Sequence, residues 1–174
     1  SASVDGKQQV IREYAQGTDD TRDVVAETTW LLNPSLTTSD NGLFAGVQLT
    51  QINVLNGKNL TLTGDENGKV LSALLSSENN LGGITFDGGK ITVSNSQNNY
   101  SVKTAITGGT TVTLAQSNAL GKTSELEVYG ALILGSGISQ TVYGWNSDAN
   151  GQIKLDGSLV LEDSNSVSIA NQFT

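Results

Sequence analysis

No cysteine, histidine or methionine occurs in the 174 residues, proline appears once, and aromatic side chains make up 5%. Each absence removes a class of chemistry. Without histidine, Ser/His/Asp and Cys/His nucleophile systems and the HExxH metal site cannot be assembled; without cysteine, neither can thiolate nucleophiles, disulfide frameworks or cysteine zinc sites. Cations are scarce too: 9 Lys+Arg against 17 Asp+Glu leave a net charge of −8, and Arg12 and Arg22 are the only arginines. Binding through counterion release needs clustered basic residues, so nucleic acid and anionic membrane surfaces are not expected partners. No run approaches the roughly 18 apolar residues of a spanning helix. The chain opens on Ser1 with no basic and then apolar leader behind it, which predicts a processed chain or an excised fragment. Lack of cysteine also suits transit through an oxidising periplasm.

Small polar and turn-forming residues take the vacated share. Gly (20), Thr (19), Ser (19) and Asn (16) together are roughly two-fifths of the chain. From about residue 40 one module keeps returning, in which a short strand with apolar residues two apart meets a Gly-containing turn and a second such strand. Ile52 and Val54 precede Asn56-Gly57, with Leu60 and Leu62 after it; Ile84 and Phe86 precede Asp87-Gly88-Gly89, with Ile91 and Val93 after. Leu126 and Val128 precede Gly130, with Leu132 and Leu134 after; Ile153 and Leu155 precede Asp156-Gly157, with Leu159 and Leu161 after. The module starts at 52, 84, 126 and 153, so the repeat is uneven.

Two architectures hold such modules. Asn-Gly and Asp-Gly between alternating strands signal antiparallel hairpins, which would close into a sandwich or barrel. The rival is a parallel β-helix, whose narrow interior is filled by stacked Leu, Ile and Val while Asn, Thr and Ser line its corners. The low aromatic content favours the second. The expected fold is an all-β, single-stranded parallel β-helix, with coils over 41–174 and an interior of Val112, Leu114, Val128, Leu132, Leu134, Ile153, Leu155, Leu159 and Leu161. Residues 1–40 read as an irregular segment, loop or cap: Val10, Ile11 and Tyr14 would share a helical face, whereas 28–32 reads as extended.

Candidate chemistry is sparse, and no cofactor or metal is called for. Asp19-Asp20-Thr21-Arg22-Asp23 spells a DDxxD string, but that magnesium site needs a long helix in an all-helical cavity; here it reads as a solvated acidic loop. Paired carboxylates on a groove would be needed for glycan hydrolysis, and Asp87 and Asp156 instead occupy the ordinary turn position before Gly. A lyase would need a Lys or Arg base, and Lys90, Lys103, Lys122 and Lys154 are what the repeat zone offers. The expectation is a protein without enzymatic activity. Tyr129, Tyr143 and Trp145, in turns and linkers between strands, are the candidate binding residues, because an exposed aromatic gives a sugar or protein rigid contact area. The alternative for all three is packing over a corner or capping the stack.

From 104 to 161 the motifs become specific. Gly108-Gly109-Thr110-Thr111-Val112-Thr113-Leu114, Asn118-Ala119-Leu120-Gly121, the run Leu126 to Leu134, Gln140-Thr141-Val142-Tyr143-Gly144 and the run Gly151 to Leu161 follow in order. This succession resembles the C-terminal portion of passenger domains of Gram-negative autotransporters, in the group of pertactin, the diffuse-adherence adhesins and the Shigella actin-recruiting surface protein. The resemblance implies a right-handed parallel β-helix carried outside the outer membrane or released from it. It further implies an intramolecular autochaperone over about 104–162, and a role in adhesion or virulence. The implied partners are a host cell-surface or host cytoplasmic protein, the same protein on neighbouring cells, and the passenger's own outer-membrane β-barrel translocator. Nothing after Leu161 supplies the roughly ten-residue alternating strands of such a barrel, so the chain reads as a passenger piece. A carbohydrate-active β-helix enzyme and a phage or other extracellular solenoid fibre are the alternatives.

Overall fold

A computed structural model of the chain describes residues 15–16, 21–24, 27–31, 50–162 and 170–174. The first coil holds β1 (Ala15–Gln16), β2 (Thr21–Val24) and β3 (Thr28–Leu31); the next holds β4 (Gln51–Val54), β5 (Lys58–Thr63) and β6 (Lys69–Leu71). Then come β7 (Leu74–Ser77), β8 (Gly82–Phe86) and β9 (Lys90–Val93), followed by β10 (Lys103–Ile106) and β11 (Thr111–Leu114). The remainder is β12 (Leu126–Val128), β13 (Ala131–Leu134), β14 (Ser139–Val142), β15 (Gln152–Leu155), β16 (Ser158–Leu161) and β17 (Gln172–Phe173). Consecutive strands enter different sheets, and each strand pairs with its counterpart one coil away. The sheets run β2-β4-β7, β3-β5-β8-β10-β12, β6-β9-β11-β13-β15-β17 and β14-β16, every pairing parallel; β1 alone adds to β2 antiparallel. The described residues form a parallel β-solenoid of about six turns, with no helix among them.

Alternation is what makes this stack. In β11 Thr111 and Thr113 face outward while Val112 and Leu114 are buried, and the strands above and below repeat the pattern in register. Ile91, Val112, Leu132 and Ile153 thereby form one inner column, and Val93, Leu114, Leu134 and Leu155 the next. The opposite wall contributes Leu60, Ile84, Thr104 and Leu126, then Leu62, Phe86, Ile106 and Val128. One continuous core joins all the coils.

The Gly-containing turns are corners, not hairpins. Gly57 (φ +72°) turns the chain from β4 into β5, which lie in different sheets and do not pair. Such a turn needs a left-handed residue whether the next strand folds back or continues around a coil, so the dipeptide cannot separate the two cases. The true period is shorter than the module spacing: the inner column advances by 21, 20 and 21 residues from Ile91 to Ile153. The four modules fall at three different kinds of corner (β4 to β5; β8 to β9 and β12 to β13; β15 to β16), which is why their starts are unevenly spaced.

Two sequence expectations are corrected here. β2 and β3 pair in parallel with β4 and β5, and Val24 is fully buried, so 21–24 and 28–31, which the sequence alone places in an irregular segment, belong to the coils. Val10, Ile11, Tyr14, Asp19 and Asp20 lie outside the described residues. Of the nine expected core residues, Val112, Leu114, Val128, Leu132, Leu134 and Ile153 are buried, whereas Leu155, Leu159 and Leu161 are only half-buried against the core. Leu159 and Leu161 lie in β16, on which no further strand stacks among the described residues, and β17 covers β15 only at Gln152 and Ile153, short of Leu155. An inner face in a solenoid is shielded from both sides except at the ends.

Candidate functional site

Between β7 and β14 one wall of the solenoid has no regular strand: a few backbone hydrogen bonds step from coil to coil, Tyr100 N–H to the Leu75 carbonyl (3.2 Å), Lys122 N–H to the Tyr100 carbonyl (2.8 Å) and Tyr143 N–H to the Thr123 carbonyl (2.9 Å), and side chains complete the rest. The residue order there supplies amides and hydroxyls where apolar strands would be. Leu75 N–H donates to Asn98 Oδ1 (2.7 Å), and Asn98 Nδ2 donates to the Ala119 carbonyl (2.8 Å). Two coils on, Leu120 N–H donates to Gln140 Oε1 (2.8 Å), and Gln140 Nε2 reaches the carbonyls of Gly121 (3.1 Å) and Thr141 (2.8 Å). Both amides are buried, so each is a strut that satisfies backbone groups no neighbouring strand reaches. Behind them the Tyr100 hydroxyl meets Thr104 Oγ1 (2.8 Å), Thr104 meets Thr123 (2.8 Å), and Thr123 donates to the Leu120 carbonyl (2.5 Å). Burial pushes the Tyr100 phenol up to about 12, against the opposing pull of the two threonine hydroxyls.

Over this frame lies a hollow of about 370 Å³, lined among others by Gln97, Asn99, Asn118, Lys122, Thr141 and Tyr143. Asn118 holds the left-handed conformation (φ +58°), with its N–H donating to the Ser139 carbonyl (2.9 Å). Asn takes that conformation at less cost than other side-chain-bearing residues. Among the described residues no carboxylate lines the hollow, and Lys122 is its one cation.

A second hollow, of about 250 Å³, opens at the corner between β12 and β13, where Tyr129 stands beside Gly109, Thr110, Asn150 and Gln152. Partial desolvation, followed by the Glu127 charge, raises the Tyr129 phenol. Lys103 Nζ is 2.5 Å from Glu127 and 3.7 Å from Glu125; its hydrogen bond to Glu127 chiefly holds its pKa above the ordinary lysine value.

The three candidate aromatics are therefore not one site. Tyr143 and Tyr129 are half-buried in separate hollows. Trp145 is 5% exposed: its Nε1 donates to Asn171 Oδ1 (2.9 Å), and its ring meets Phe173 edge-on at 5.9 Å. Its surface is spent on closing the C-terminal coil, which corrects the expectation that it offers a binding face. The partners that bury it lie 26 and 28 residues away, beyond any local pattern. Asp87 accepts from Thr107 Oγ1 (2.8 Å) across a corner, in keeping with a turn role. Asn98, Asn118, Lys122 and Gln140 carry the frame and lining of the larger hollow and were not singled out by sequence as site residues. Their only signal is spacing, since Asn98 and Gln140 stand two coils apart. No protein-family model, curated protein or solved structure matches the chain.

Proposed function

We propose that this chain is an extracellular display scaffold, a portion of an autotransporter passenger, with residues of about 104–162 acting as its autochaperone. The observation that carries this reading is where the resembling motifs fall. The Gly108 to Leu114 motif enters β11, the Leu126 to Leu134 run is β12, a corner and β13, the Gln140 to Gly144 motif ends β14, and the Gly151 to Leu161 run is β15, a corner and β16. Four of the five motifs thus coincide with strands and corners of the coil, and the fifth, Asn118-Ala119-Leu120-Gly121, is a turn. A stacked apolar interior with polar corners suits a solenoid that presents loops to a host protein or to neighbouring cells, without chemistry of its own, after passing through its β-barrel translocator.

The test is surface labelling of intact producing cells with an antibody to this chain, together with deletion of 104–161 from the parent gene. Labelling without permeabilisation, and loss of folded passenger at the surface on deletion, are expected. An intracellular chain overturns the display reading. Unimpaired secretion and folding of the deleted passenger overturn the autochaperone role, and recovery of the chain in a trimeric, detergent-resistant particle would make it a fibre segment.

A further inference from the structure

We infer that the hollow around Tyr143 and Lys122 is a binding site for an acidic glycan lying along the solenoid axis. The proposal names a ligand class for a surface of the display scaffold, but it stands on the hollow alone and is tested on the isolated chain.

Three successive coils meet there: Gln97 and Asn99 come from one, Asn118 and Lys122 from the next, Thr141 and Tyr143 from the third. Coils stack at the spacing of neighbouring parallel strands, about 4.8 Å. That pitch is close to the length of one pyranose unit in an extended glycan, so groups repeating coil by coil can meet successive sugars. Lys122 and Tyr143 head groups and the Asn99, Asn118 and Thr141 side chains make no hydrogen bond or ion pair among the described residues. Amides, a hydroxyl and an ammonium beside a half-exposed aromatic ring match a sugar's mixture of hydroxyls and apolar C–H faces.

Rigidity strengthens the case. The buried Asn98 and Gln140 struts fix the backbone on which these groups stand, so little ordering is left for binding to impose. Charge selects the class. In a chain of net charge −8, this hollow is free of carboxylates and holds one lysine without a salt bridge among the described residues. A uronate or another carboxylate-bearing sugar places its charge against Lys122.

Calorimetric titration of the 174-residue chain with a galacturonic acid tetramer and with its neutral methyl ester tests this. Binding of the acid at least about ten-fold tighter than the ester is expected, weakening as salt rises. Lys122→Gln, at an exposed position, should abolish the preference for the acid, and Tyr143→Ala should weaken both probes by about ten-fold or more. If Tyr143→Ala perturbs the circular dichroism, Lys122→Gln alone decides. No binding of either probe, equal binding of acid and ester, or binding unaltered by Lys122→Gln overturns the inference. Each of these results leaves the surface-labelling outcome free to go either way.

Discussion

At the residue scale, the polar groups inside the coil govern more than their number suggests. Asn98 joins Leu75 N–H to the Ala119 carbonyl across two coils. Asn98→Ala removes both partners at once and strands a buried donor and acceptor, each costing about 1–3 kcal/mol. A loss of about 2–4 kcal/mol is expected by urea denaturation; a loss under 1 kcal/mol, about the value of an ordinary surface change, would show that water replaces the strut. Tyr100 gives a pH signature. Its folded pKa of about 12 exceeds the ordinary value of 10.0, so the neutral phenol is favoured in the folded chain. Its contribution is fully present below pH ~10. Above that the unfolded chain ionises first, and stability should fall by about 1.4 kcal/mol per pH unit until the folded phenol titrates. Tyr100→Phe should flatten most of this alkaline slope in denaturant titrations at stepped pH, leaving a smaller remainder from Tyr129 and Lys103, whose pKa values are also raised in the folded chain.

At the element scale, strand alternation and small-residue corners were legible, and what stacks on what was not. Val112, Leu132 and Ile153 could be placed inside because each is flanked by outward neighbours, a property local to its strand. The coil period could not be read the same way, because β6 and β7 meet their neighbours through longer or glycine-free links, and in β10 the buried Thr104 takes the apolar position of the module before Gly108-Gly109. Trp145 escaped for a related reason: its burial depends on Asn171 and Phe173, which arrive only after another coil has closed. Gly151 shows how tight that closure is, since a Cβ there would lie 1.9 Å from the Val128 carbonyl oxygen. The same contrast between middle and end predicts unequal tolerance. Leu132→Asp puts a charge in a fully buried column and should cost about 4 kcal/mol or more, while Leu159→Asp, half-buried in the last described coil, should cost about 1–2 kcal/mol. Equal midpoints in denaturant for the two variants would contradict the stacking order.

At the scale of the whole molecule, a solenoid's stability is close to a sum over coils and their interfaces, and a coil shielded on one side opens more easily than one shielded on both. Sequence density alone marks 104–161 as the nucleus. Full burial extends beyond that run toward the N-terminus: Ile52, Leu60, Ile84, Phe86, Ile91, Val112, Leu126 and Leu132 are wholly or almost wholly buried, and the Asn98 and Gln140 struts and the Tyr100 hydroxyl chain tie the middle coils together. At the far end only β17 covers β15, through two residue pairs, and β16 is uncovered among the described residues. Hydrogen exchange under native conditions should therefore find amides of β11 and β13 exchanging through global unfolding. Those of β16 should exchange through opening of the terminal coil at a clearly lower free energy, with β15 intermediate because β17 pairs with its first two residues. Addition of low urea should lower protection in β11 and β13 steeply, as expected for exposure of the whole core, and protection in β16 only weakly. If β16 proved as protected as β13, the coils would open as one unit, and the coil-by-coil account of stability would have to be abandoned.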